Sequence, residues 1–144
     1  LSVFETAVRN LRERGIEVIV HTILGLPGES QEDILATMKY LNHRDIQGIK
    51  LQLLHVLKDT DLAQEYLEGK FHVYEREEYL NLVIRCLENL DPEIVIHRMT
   101  GDGPEKLLLA PLWTGRKREV LNLLHHQMKV CDSWQGKQFH SLPE

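Results

Sequence analysis

The sequence predicts an α/β fold in which about three parallel strands alternate with flanking helices and a C-terminal helix follows. Three short apolar segments rich in β-branched residues are typical of strands, and segments with helical spacing separate them. Strands joined through helices pair in parallel with right-handed crossovers. The 144 residues suffice for one domain with its own core. Part of a barrel and an open sheet both fit this order.

Local signals predict the first helix and the first strand. Ser2 and Glu5 have the spacing of a capping box, and apolar residues recur at helical spacing behind them. Gly15 is placed to end this helix. Residues 16–24, IEVIVHTIL, form a nearly continuous run rich in β-branched residues, as in a parallel strand covered on both faces. Because the chain starts at Leu1 beside a helix start, we expect a piece of a longer protein.

The alternation continues along the rest of the chain. Ser30 and Asp33 open a second helix. Asp91-Pro92 ends a later helix, because proline disfavours a helical residue before it. The remaining predicted elements are a strand over 48–57, a short helix ending at Gly69, a helix over 75–90, a strand over 93–97, a loop over 99–115 and a helix over 116–130.

Composition and charge argue against several classes of protein. Seventeen Lys and Arg against 22 Asp and Glu give a net charge of −5, which argues weakly against a nucleic-acid module. The run Arg116-Lys117-Arg118 either meets a phosphate or is a solvated helix start. Neither a signal peptide nor an apolar run of about 18 residues is present, so we expect no membrane contact and a cytoplasmic location. Two distant cysteines do not form a disulfide framework.

The segment GLPGES, residues 25–30, is the most informative turn in the chain. Gly25 and Gly28 permit backbone angles that other residues resist, and Pro27 fixes one torsion. Glu29 and Ser30 suit the start of a helix. A generic strand-to-helix turn explains all of this. The alternative is a ligand site, because ligands of α/β folds bind at the carboxyl ends of strands.

These residues also carry a resemblance. HTILGLPGES resembles the fifth strand and the following turn of radical S-adenosylmethionine enzymes, where an apolar residue and a glycine lie beside the adenine. Ile23 and Gly25 match that pattern, and Glu29 matches it with one extra residue in the gap. His21 replaces the pattern's first glycine.

Two later segments strengthen the resemblance. GIKLQLLHVLKDTDLAQEY is similar to the sixth strand and its exit, which implies adenine contacts from main chain near Leu54, His55 and Val56. IHRMTGDGP resembles a bacterial Fe–S oxidoreductase branch related to the elongator catalytic subunit and to oxygen-independent coproporphyrinogen oxidase. The resemblance implies that 1–99 form the second half of a partial (β/α)6 TIM-like barrel, and that 100–144 form a C-terminal loop and helical extension.

The resemblance implies S-adenosylmethionine and a [4Fe–4S] cluster as cofactors of the intact protein. Cluster binding by this family uses three closely spaced cysteines, which this chain lacks. Cys86 lies among apolar helix residues, and Cys131 with His125 and His126 makes a poor zinc set. The intact protein is then expected to cleave S-adenosylmethionine reductively, and the 5′-deoxyadenosyl radical to abstract hydrogen from an unknown substrate, with tRNA one possibility. The fragment alone is expected to be inactive.

Candidate substrate residues follow from alternation along the second strand. Lys50 and Gln52 share one face, and Ile49, Leu51 and Leu53 share the other. If the apolar face meets the helices, Lys50 and Gln52 point into the barrel toward substrate. The alternative is an exposed edge strand whose polar residues face water.

Three further residues are candidate ligand contacts. His21 is a polar residue inside an apolar strand, where it needs a partner. His55 either binds a ligand or is a satisfied structural histidine. Arg98 either holds a carboxylate or pairs with Asp102.

Two hypotheses remain open at this point. One is the C-terminal half of a radical S-adenosylmethionine enzyme. The other is a non-catalytic α/β module that binds a nucleotide or a protein partner through the same strand ends. For an isolated half barrel with open edges, we expect pairing with a second copy or a C-terminal helix lying over the inner face.

Overall fold

The computed structural model describes residues 1–101 and 103–140 and confirms the α/β class. The helices are α1 (Ser2–Arg12), α2 (Gln31–Leu41), α3 (Asp61–Leu67), α4 (Arg76–Asn89) and α5 (Lys117–Val130). The strands are β1 (Ile19–Leu24), β2 (Gly48–Leu53), β3 (Val56–Leu57), β4 (Val95–Arg98) and β5 (Leu108–Ala110). None of the helices in these ranges is long and apolar enough to cross a membrane.

The main sheet has the strand order β1-β2-β4, and both pairings are parallel. Ile49, Leu51 and Leu53 of β2 are buried and belong to one hydrophobic cluster with residues of α2 and α4. Their burial drives the sheet onto these helices, since each buried aliphatic side chain contributes about 1.5–3 kcal/mol. Among residues 1–101 and 103–140, no helix covers the opposite face of the sheet in this way.

The C-terminal helix α5 lies on the covered side of the sheet. Val120 and Leu124 are almost fully buried in the same cluster, and α5 packs against α4. The tail after α5 continues along α4, where the Gly136 N–H donates to the Leu87 carbonyl and the Gln138 N–H to the Glu88 carbonyl. The expectation that the last helix lies over the inner face is therefore wrong.

The second predicted strand is shorter than expected, and part of the predicted loop is a strand. The strand expected over 48–57 ends at Leu53, and the continuation Val56–Leu57 pairs antiparallel with Leu108–Ala110. The strand Leu108–Ala110 lies inside the segment 99–115 that was predicted to be a loop. A three-residue strand is stabilised by its distant partner rather than by its own composition, so local signals do not reveal it.

The first helix starts differently from the prediction. Leu1 is the N-cap, Ser2 is already helical, and no side chain caps the helix. The predicted capping box of Ser2 and Glu5 is therefore wrong. The Glu5 carboxylate instead accepts hydrogen bonds from the Tyr40 hydroxyl at 2.9 Å and from the Arg44 guanidinium at 2.6 Å, which tie α1 to the end of α2.

Candidate functional site

The uncovered side of the main sheet, here called the open face, is the most conspicuous polar surface beside the strand ends. Seven strand residues whose side chains are accessible form it: His21, Ile23, Lys50, Gln52, Val95, His97 and Arg98. Alternation places His21, Ile23, Lys50 and Gln52 on this face, because every second residue of a strand leaves the covered face. The irregular register between β2 and β4 brings the consecutive residues His97 and Arg98 to the same side. β2 is the central strand of the sheet, so the alternative of an exposed edge strand is wrong for Lys50 and Gln52.

The register brings the four predicted substrate residues together. His21 lies beside Lys50, and Lys50 beside Arg98, while Gln52 lies beside Ile23 of the neighbouring strand. Adjacent strands are about 4.8 Å apart, so these side chains can contact one ligand. Their function as substrate residues stays a prediction.

His97 also lies on the open face, although it was not predicted. A side chain on Gly48 would come within 2.6 Å of the His97 ring and 2.8 Å of Ile19, so only glycine leaves room for the imidazole. An irregular register between Ile49 and Lys50 accompanies this placement. Gly48, the first residue of GIKLQLL, is the sequence feature that indicates this placement, since a glycine in a strand often marks a position that another group approaches closely.

The turn after β1 is closed by Glu29. Its carboxylate accepts from the Gly25 N–H and from the Leu26 N–H, both at 3.2 Å. Ser30 then caps α2, because its hydroxyl accepts from the Asp33 N–H while the Asp33 carboxylate accepts from the Ser30 N–H. The Asp33 carboxylate accepts from the Ser30 hydroxyl at 2.7 Å as well as from the Ser30 N–H at 2.9 Å, and these two hydrogen bonds lower the pKa of Asp33. Glu29 therefore has a clear structural function in this turn.

The backbone angle and the close packing at residue 25 explain why this residue is a glycine. Its φ is +85°, and a Cβ there would lie 2.9 Å from the Tyr74 ring and 3.9 Å from Leu53. The side of Gly25 that a side chain would occupy is thus filled by Tyr74. Burial raises the pKa of Tyr74, and the carboxylate of Glu29 adds to the shift.

The exit of β2 is held by main-chain and imidazole hydrogen bonds. The Leu54 N–H donates to the Leu24 carbonyl at 3.0 Å, and Val56 pairs with Ala110. The His55 Nδ1 lies 2.7 Å from the Leu53 carbonyl, which only accepts, so Nδ1 carries the proton.

The other side of the His55 ring faces the loop after β4. Its Nε2 lies 3.2 Å from the buried Thr114 hydroxyl, and Gly101 and Gly103 pass close to the ring. His55 thus has the contacts of a satisfied structural histidine. The suggested partner of Arg98, Asp102, lies outside the described residues.

The cysteines of this chain do not fit an iron–sulfur cluster. Residues 1–101 and 103–140 contain no group of three or more His, Cys, Asp or Glu side chains that could hold a metal ion. Cys86 is fully buried in α4, and burial raises the pKa of its thiol to about 12. Cys131 is exposed just after α5. Because a cluster needs several thiolates, the described residues do not form a cluster site by themselves.

A parallel sheet with helices on one face and polar residues on the other defines the chain as part of a β/α barrel wall. The sequence model of the Radical_SAM C-terminal domain family matches residues 46–130, and the chain belongs to this family.

Relatives agree with this membership. The chain is 41% identical over 137 residues to the uncharacterized protein YtqA of Bacillus subtilis, a match that covers 95% of this chain and 42% of YtqA. It is 30% identical over 124 residues to a tRNA uridine(34) acetyltransferase of Dehalococcoides mccartyi, covering 84% of this chain and 27% of that protein. The chain thus spans less than half the length of these relatives.

A solved structure shares the fold. The archaeal Elp3 of Methanocaldococcus infernus, with an N-terminal deletion, superposes with a TM-score of 0.72 at 19% identity. The match covers 91% of this chain and 32% of the Elp3 chain.

Proposed function

We propose that this chain is the C-terminal wall of a radical S-adenosylmethionine enzyme, whose cluster ligands lie in a preceding part of the polypeptide. The observation that carries the proposal is the family match over residues 46–130 together with the open face, which aligns His21, Lys50 and Arg98 at the inner side of a barrel wall. The intact enzyme acts in the cytoplasm.

The cofactor lies against the carboxyl ends of β1 and β2. Ile23 is 47% exposed at the end of β1, so it presents an apolar surface to the adenine. Gly25, Glu29, Leu54, His55 and Val56 shape the main chain around that position rather than supplying free side chains. When bound, the cluster and S-adenosylmethionine supply reductive carbon–sulfur cleavage and a 5′-deoxyadenosyl radical.

The substrate lies against the polar part of the open face. Lys50, Gln52, His21 and Arg98 orient it for hydrogen abstraction. A tRNA is one substrate that fits the proposal, since one relative is named as a tRNA uridine acetyltransferase. Residues 1–99 act as barrel wall and 100–144 as the extension.

Anaerobic reconstitution tests this function. The chain extended upstream through the rest of its reading frame is expected to bind iron and to form 5′-deoxyadenosine with a reductant. The chain of residues 1–144 alone is expected to do neither, because its described part holds no metal-binding group. An extended protein that takes up no iron and leaves S-adenosylmethionine intact would favour a binding module instead.

The isolated chain is expected to self-associate. Its open face has no covering element among residues 1–101 and 103–140, because α5 packs on α4. Ile23 and Val95 of this face are accessible apolar residues, and burying their side chains between two copies favours association. Sedimentation at increasing concentration tests this, and a strictly monomeric chain would contradict it.

A further inference from the structure

A row of nitrogen-bearing side chains crosses the open face perpendicular to the strands. His21, Lys50 and Arg98 are neighbours in the register of three adjacent strands. With strands about 4.8 Å apart, the row spans roughly 10 Å. His97, over Gly48, adds another imidazole beside it. The strand residues described for this face include no aspartate or glutamate.

The helix α5 extends this row beyond β4. Lys117, its first residue, lines a cavity of about 230 Å³ together with His97 and Arg98. Its neighbour Arg116 instead approaches Glu119 at 3.6 Å. Arg116 and Lys117 therefore lie in different surroundings, and Lys117 shares its cavity with two residues of the open face.

The lysines of this row differ from several arginines of the chain. Many arginines are paired with acids, as in the Arg12–Asp45, Arg44–Glu5 and Arg76–Glu119 ion pairs. The side-chain ammonium groups of Lys50 and Lys117 form no hydrogen bond or ion pair with any other residue that the structure describes, although the Lys50 carbonyl accepts from the Thr22 hydroxyl. Arg98 does interact within the chain, so the two lysines carry the inference. Among the described strand residues of the open face no acid stands beside Lys50, and such a positively charged surface favours an anionic ligand.

We infer that the row of His21, Lys50 and Arg98, with Lys117, binds a substrate that carries two or more phosphate groups. A single carboxylate engages one or two donors, whereas this row is too long for one such group. Successive phosphates can engage both lysines and the neighbouring nitrogen donors. The inference rests on the proposed function, because it places the substrate against the open face.

Two probes test this on the chain of residues 1–144, at concentrations where sedimentation shows it to be monomeric and its open face to be uncovered. Inorganic tripolyphosphate represents a small phosphorylated molecule, and a mixed-sequence single-stranded RNA of about 12 nucleotides represents a nucleic-acid backbone. Affinity is measured by calorimetry or fluorescence anisotropy at several salt concentrations. Lys50→Gln and Lys117→Gln are each expected to weaken binding roughly threefold to tenfold and to reduce the RNA salt slope by about 0.7.

Lys39→Gln is the matched control, because it removes the same charge from an exposed site in the last turn of α2. It is expected to leave affinity and slope unchanged, and Lys50→Arg to retain binding. Tighter binding of RNA than of tripolyphosphate would assign the phosphates to a nucleic acid, and comparable binding would assign them to a small molecule.

Two results would overturn the inference. One is that neither probe binds at low salt, and the other is that Lys39→Gln weakens binding as much as Lys50→Gln. Unfolding curves of each variant separate lost binding from lost structure. The binding assays contain no S-adenosylmethionine, so they test phosphate binding separately from the proposed radical chemistry. If the probes do not bind but an extended protein still forms 5′-deoxyadenosine, only this inference has failed.

Discussion

Replacing Gly25 by alanine is expected to destabilise the chain by about 2–4 kcal/mol, against about 1–2 kcal/mol for the same change at Gly28. Both glycines have nearly the same positive φ, +85° and +80°, so both variants carry backbone strain. Only at Gly25 does the new methyl group meet a neighbour, the Tyr74 ring at 2.9 Å. Chemical denaturation of the two variants measures the difference.

A second substitution separates strain from crowding. In a Tyr74→Ala background the added cost of Gly25→Ala is expected to fall toward that of Gly28→Ala, because the crowded ring is gone. Equal costs at the two glycines with Tyr74 in place would contradict the packing explanation. The comparison also measures how much the packing of Gly25 against Tyr74 contributes to the stability of this turn in the absence of a ligand.

Tyr79→Ala is expected to lower the free energy of unfolding by about 3–5 kcal/mol, more than either glycine substitution. Tyr79 is fully buried in α4, and its ring lies 5.6 Å from that of Trp113. Its hydroxyl donates to the Met99 carbonyl at 2.9 Å, where the chain leaves β4. Tyr79→Phe keeps the ring and is expected to cost about 1–2 kcal/mol for the unpaired carbonyl. Thermal or urea unfolding measures both.

The pH dependence of Tyr79 has a defined sign. Burial raises the pKa of its phenol, so the folded state favours the protonated form. Its contribution is fully present below pH 10, the ordinary tyrosine pKa, and is lost as pH rises above that value toward the folded pKa. The wild-type chain is therefore expected to lose more stability than Tyr79→Phe above about pH 10. Identical slopes for the two proteins would contradict this.

Regular alternation made the open face predictable. Lys50 and Gln52 could be assigned to one face because Ile49, Leu51 and Leu53 form an unbroken apolar set at every second position. The Ser30 cap was equally predictable, since it depends on residues three apart in the sequence.

Features that depend on distant partners could not be predicted. Leu108–Ala110 is a strand only because Val56–Leu57 lies beside it, more than fifty residues away in the sequence. His97 reaches the open face because Gly48 of another strand gives it room. The local pattern at Ser2 predicted a cap, but the helix begins one residue earlier and Glu5 bonds to Tyr40 and Arg44 instead.

The central claim is that the open face is the inner wall beside a bound S-adenosylmethionine, and Ile23 gives its most direct test. Ile23 and Leu26 are similarly exposed, at 47% and 44%, so alanine at either position removes a similar accessible side chain. In the extended protein with equal iron content, Ile23→Ala is predicted to weaken S-adenosylmethionine binding about tenfold, and Leu26→Ala to leave it unchanged. Unchanged affinity in the Ile23 variant, or an equal loss in both, would contradict the account.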